Sequence, residues 1–179
     1  MTTGHIFIAT SLDGFIARPD GAIDWLIQHT NPDEDHGYDA FMAQIDVIVM
    51  GRGTYQTVLA FDPWPYALPV VVLSRSLAAE DVPTHLAGQV RITALPPRAV
   101  MAGLAAEGYK RAYIDGGQII QSFLRDGLIA DMVITRVPVL IGSGRSLFGP
   151  LDGTDIALRH LQTQSFPSGL VQSHYQIAG

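Results

Sequence analysis

Three stretches of this sequence end an apolar run in residues suited to holding an anion. Ala112-Tyr113-Ile114 runs into Asp115-Gly116-Gly117, and a helical pattern follows with Ile119, Ile120, Phe123 and Leu124 on one face. Asp46–Met50 (DVIVM) ends in Gly51-Arg52-Gly53-Thr54, and Pro69–Leu73 (PVVVL) ends in Ser74-Arg75-Ser76. A strand, glycines and a helix start suit phosphate chemistry. The free N–H groups and positive dipole end of the helix attract an anion. Glycine lets the ligand approach the backbone, and arginine forks match phosphate oxygens bidentately. Each stretch alone also reads as a tight connection or a solvated arginine. If the three strands are parallel neighbours, all three ends face the edge where open α/β sheets bind ligands. The coincidence predicts a ligand with several phosphates.

The elements that must position these ends follow from periodicity. His5–Thr10 (HIFIAT) is a short apolar strand, and Phe15-Ile16-Ala17 resumes it briefly before the turn Pro19-Asp20-Gly21. Ala22–Leu26 reads as a loop or short turn. Acidic Asn31–Asp35 reads as a helix N-terminus leading into Tyr38, Phe41, Met42 and Ile45 at i, i+3, i+4, i+7. The continuous apolar runs Asp46–Met50 and Pro69–Leu73 fit strands covered on both faces. Gln89–Thr93 is a further strand, and Pro96-Pro97 opens a helix that stops at Gly108. Asp131–Ile141 is a long strand with Pro138 inside it, which predicts an edge or a bulge. Ile156–Phe166 and Leu170–Ile177 flank Pro167-Ser168-Gly169 as a terminal hairpin. Alternating strands and helices followed by a hairpin predict an α/β fold with three αβα layers. Its sheet is mixed, mostly parallel, with about eight strands and a C-terminal antiparallel hairpin. Residues 1–179 read as one domain.

Composition removes several function classes. A formal charge of −6 argues against a nucleic-acid partner, which demands a basic excess. The absence of cysteine excludes disulfides, thiolate metal sites and cysteine nucleophiles. No stretch approaches the ~18 apolar residues of a membrane span, and the start lacks a signal-peptide pattern, so a cytoplasmic protein is expected. The six histidines show no metal-ligand spacing, and no metal is expected. Neither G-x-G-x-x-G, the P-loop nor G-x-S-x-G occurs.

Taken in order, the motifs resemble the dihydrofolate reductase fold. These are Met50-Gly51-Arg52-x-Thr54-Tyr55, a strand ending Leu73-Ser74-Arg75, and Ile114-Asp115-Gly116-Gly117. Ala9–Ala17 (ATSLDGFIA), Ile23-Asp24-Trp25-Leu26 and Pro138–Phe148 (PVLIGSGRSLF) look more specifically like the reductase C-terminal domain of the bifunctional riboflavin-biosynthesis deaminase/reductase and its stand-alone relatives. The resemblance implies an NADPH-dependent reductase of a pterin- or aminopyrimidine-like heterocycle, such as 5-amino-6-(5-phosphoribosylamino)uracil. The second reading is an NADPH-binding module with a sensor or structural role and no turnover.

Carried over by position, Gly51, Arg52 and Thr54 would hold the adenosine side and pyrophosphate. Ser74 and Arg75 would meet the 2′-phosphate, with Leu73 also cofactor-binding, and Gly116, Gly117, Gln118 and Ile119 would cradle the pyrophosphate. Ala9 and Ile16 would flank the nicotinamide. Two arginines near one end of the ligand favour NADPH over NADH. Asp13, on the loop beside the implied nicotinamide, is the first candidate proton donor. Asp35 falls where dihydrofolate reductases carry their pterin-binding carboxylate. Trp25 and Tyr38 are candidate substrate-binding rings. Asp115 departs from the glutamate that the riboflavin branch tends to carry there. The apolar Pro138–Ile141 segment and the hairpin predict a homodimer.

Overall fold

The computed structural model describes residues 1–153 and 155–178. The chain order is β1 (Thr3–Ser11), β2 (Phe15–Ala17), α1 (Asp24–His29), α2 (Tyr38–Met42), β3 (Val47–Gly51), α3 (Arg52–Val58), β4 (Val70–Leu73) and β5 (Val90–Thr93). There follow α4 (Pro97–Ala106), β6 (Arg111–Asp115), α5 (Gly117–Arg125), β7 (Ile129–Val137), β8 (Arg145–Ser146), β9 (Leu158–Ser165) and β10 (Val171–Ile177). Eight strands form one sheet in the order β5-β4-β3-β6-β1-β7-β10-β9. The pairs from β5 to β7 are parallel, and β10 joins β7 and β9 antiparallel. The expected three-layer α/β architecture with a terminal hairpin is therefore present.

The continuous apolar strands are explained by alternation across two covered faces. Val47 and Val49 of β3 join a core with Leu104 of α4 and Ile120 and Phe123 of α5. Ile48 and Met50 point the other way, into a core with Phe41 of α2 and Tyr55 of α3. A third cluster of Trp25, Val137 and Leu170 sits under α1.

Several elements differ from expectation. Residues 31–37 form a loop, and the helix is only Tyr38–Met42. Asp33 and Gly37 donate their N–H groups to the Asn31 and Asp35 side chains, so polar turns displace the helix start. Asp24–His29 is helical, where Ala22–Leu26 reads as a loop or short turn. β7 stops at Val137, so Pro138 terminates the strand and does not interrupt it. A two-stranded ribbon of β2 and β8 was not anticipated, because β8 has only two residues. Among the described residues no helix is long and apolar enough to cross a membrane. None of their His, Cys, Asp and Glu side chains form a group of three or more able to hold a metal ion.

Candidate functional site

The carboxyl ends of β5, β4, β3, β6 and β1 open into one cleft of about 1690 Å³. That exceeds the roughly 300–1,000 Å³ typical of a small-molecule pocket, and leaves room for a dinucleotide beside a second ligand. All twelve residues expected to touch the cofactor line it: Ala9, Ile16, Gly51, Arg52, Thr54, Leu73, Ser74, Arg75, Gly116, Gly117, Gln118 and Ile119. The parallel pairing of β4, β3 and β6 produces this convergence, since it carries their three ends to one edge.

Local bonding shapes the cleft. Gly116 has φ 94, and a Cβ there would lie 2.6 Å from the Thr54 hydroxyl oxygen. The turn therefore requires glycine both for its left-handed backbone and for close approach to α3. At the β4 end, Arg52 donates to the Ser76 hydroxyl at 2.8 Å. The Ser74 hydroxyl accepts from the N–H groups of Ser76 and Leu77. Four arginines line the cleft (Arg52, Arg75, Arg125 and Arg145) against a single carboxylate, Asp115. Among the described residues none of the four is ion-paired, whereas Arg18, Arg91 and Arg98 pair with acids elsewhere. A local cationic surplus in a chain of net −6 is a donor set matched to a polyanion. The residues present thus fit a dinucleotide phosphate.

Asp115 ends β6 on the same face as Tyr113, and its Oδ1 accepts its neighbour Gly116's N–H at 2.8 Å. Burial pushes its carboxyl up from the ordinary 3.8 to about 6. Three tyrosines feel its charge. Burial first and Asp115 second push Tyr38 up to about 12, and raise Tyr66 and Tyr113 as well. The Tyr113 hydroxyl donates to the Phe7 carbonyl. At neutral pH the tyrosines remain proton donors beside a carboxyl poised near its titration point.

The expected catalytic and substrate residues fare differently. Asp13 does not line the cleft. Its carboxylate accepts from the Gly142 N–H at 2.8 Å and the Ile141 N–H at 3.3 Å. The Ser11 hydroxyl, then these N–H groups, hold it below the usual carboxylate range. Bonded in this way, the carboxylate anchors the Ile141–Gly142 loop. Asp35 is exposed on the loop before α2 and lines a separate acidic depression with Asp33, Glu34 and Asp39. Trp25 is 1% exposed and packs against Val137 and Leu170. Its neighbours Ile23 and Leu26 face the cleft instead, because the short helix turns its largest apolar side chain inward. Tyr38 lies off the cleft lining, with its ring edge-on to Phe7 at 5.6 Å, and reaches the site only through its proximity to Asp115.

Sequence reasoning passed over Asp115 as a proton carrier, and Tyr66, Arg125 and Arg145 altogether. The available signal for Arg145 was a cation embedded in the glycine-rich Gly142–Pro150 stretch.

The chain is 33% identical over 172 residues to the uncharacterized protein YwjB of Bacillus subtilis, with 95% of each chain covered. A Shewanella sp. PV-4 structure, assigned provisionally to riboflavin biosynthesis, superposes with TM-score 0.92 at 40% identity. That match covers 99% of this chain and 100% of the other. The Thermotoga maritima diaminohydroxyphosphoribosylaminopyrimidine deaminase/5-amino-6-(5-phosphoribosylamino)uracil reductase shares the fold at TM-score 0.73 and 12% identity. It is matched over 99% of this chain and 57% of its own. With residues 3–172 matched, the chain belongs to the RibD C-terminal domain family.

Proposed function

We propose that the protein is an NADPH-dependent reductase of a pterin- or aminopyrimidine-like heterocycle, working as a cytoplasmic homodimer. The carrying observation is a cleft at adjacent parallel strand ends, lined by four arginines, none ion-paired among the described residues, against one carboxylate. Family membership and a reductase among the structural relatives support the same reading. When bound, NADPH supplies the hydride. Ser74 and Arg75, with Arg52 beside them, bind the 2′-phosphate. Gly116 and Gly117 let the dinucleotide approach the α5 backbone, and Ala9 and Ile16 form the walls that orient its ring. Asp115 holds a proton at its carboxyl for the reduced substrate, and the hydroxyls of Tyr38 and Tyr66 stay protonated near it.

The dimer reading rests on β9, the sheet's edge strand, whose eight residues are all exposed, including Leu158 and Leu161. Exposed edges of this length are normally covered. The test of turnover is NADPH oxidation followed at its absorbance across a panel of pterins, aminopyrimidines and flavins. Oxidation with at least one heterocycle, lost in Asp115→Asn, is the expected result. Cofactor binding with no oxidation by any of them would favour the non-catalytic module.

A further inference from the structure

We propose that Arg145 is a clasp for the pyrophosphate of the bound dinucleotide, separate from the group that meets the 2′-phosphate. The inference rests on the dinucleotide reading above. Arg145 is carried by the β2–β8 ribbon, which lies across the cleft. Its Nη1 is 3.3 Å from where a Cβ on Gly53 would sit, and its Nη2 is 3.1 Å from the same position on Gly21. The next residue, Ser146, places its carbonyl oxygen 2.8 Å from the Cβ position of Gly117. The guanidinium therefore spans from the ribbon to the first turn of α3, beside the start of α5.

The platform under Arg145 is fixed. Leu147 is buried in the main core, and its N–H donates to the Gly14 carbonyl at 3.1 Å. The Gln121 amide donates to the carbonyls of Ser146 and Leu147. A Cβ on Gly144 would lie 2.3 Å from the Ala17 carbonyl oxygen, so glycine is required for the ribbon to close. The charge that this platform presents is unspent. Its one hydrogen bond is a long 3.5 Å contact to the Pro19 carbonyl, and among the described residues no carboxylate pairs with it. Arg18, just after β2, is instead paired with Asp24 at 2.7 Å. An exposed guanidinium presented from this platform, in a cleft that already contains three more, suits a ligand anion. Arg52 is turned toward Ser76 at the β4 end, so Arg145 is left to the bridging phosphates. Those phosphates are common to NADPH and NADH.

The test is dissociation constants for NADPH and NADH, read by fluorescence, for wild type, Arg145→Ala, Arg145→Lys and Arg75→Ala, with unliganded melting as a folding control. Arg145→Ala should weaken both dinucleotides by the same factor, about 10- to 100-fold, as expected for loss of a charged hydrogen-bond partner. Arg145→Lys should recover part of that loss, and Arg75→Ala should weaken NADPH selectively. Arg145→Ala matching wild type, or losing NADPH alone, would overturn the clasp while leaving the cofactor reading standing. A wild type that binds neither dinucleotide overturns the cofactor reading and the clasp with it.

Discussion

Asp115 concentrates the chemistry at the residue scale. Its carboxyl is raised to about 6 by burial, so the folded state holds the proton more tightly than the unfolded chain does. The sign follows: stability from this group is present below about pH 4 and is lost as pH rises through about 6. Asp115→Asn should therefore be more stable than wild type at pH 8, by up to about 3 kcal/mol in denaturant unfolding, with the gap closing below pH 4. In the proposed reductase the same proton serves turnover. The wild-type rate should fall as pH rises above about 6, and Asp115→Asn should lower kcat by about 100-fold or more and flatten the profile. Asp13→Ala should leave that profile unmoved while lowering the melting temperature, since Asp13 ties down the Ile141–Gly142 backbone. The strand-end glycines, Arg52 and Arg75 were legible in sequence because their placement depends on local spacing, whereas Arg125 and Arg145 lie outside those strand ends. The behaviour of Asp13 and Asp115 was not legible, because it is set by burial at Asp115 and, at Asp13, by backbone partners more than a hundred residues away.

At the scale of elements, the cleft depends on how β6 turns into α5. Gly116→Ala must adopt φ near 94 and displace the Thr54 hydroxyl from 2.6 Å. It should cost about 2 kcal/mol or more of stability, read by denaturant unfolding, and should weaken dinucleotide binding as well. Sequence periodicity identified the buried strands well, since each is a continuous apolar run between turn signals. It missed α1 and found α2 but set its start too early; these helices are six and five residues long. Helices that short carry little periodic signal and are stabilised by tertiary packing. The ribbon strand β8 left no pattern at all, because two residues cannot alternate.

On the scale of the whole molecule, eight strands and two helical layers leave one long edge, β9, uncovered. Its pairing with a second copy is the simplest cover for exposed Leu158 and Leu161. Light scattering after size exclusion should give a dimer, and Leu161→Lys should shift it to monomer with the fold intact. The fold class was legible because strand and helix alternate along the chain, and the order and spacing of the motifs fixed which strand ends meet. The parallel order β4-β3-β6 then gathers residues some sixty positions apart into one cationic cleft. The claim that this cleft holds NADPH is tested most directly by titrating NADPH and NADH into wild type and Arg75→Ala under one buffer. Tighter binding of NADPH than NADH by wild type, with the preference abolished in Arg75→Ala, is the predicted result; equal affinity for the two in wild type, or binding of neither, would contradict it.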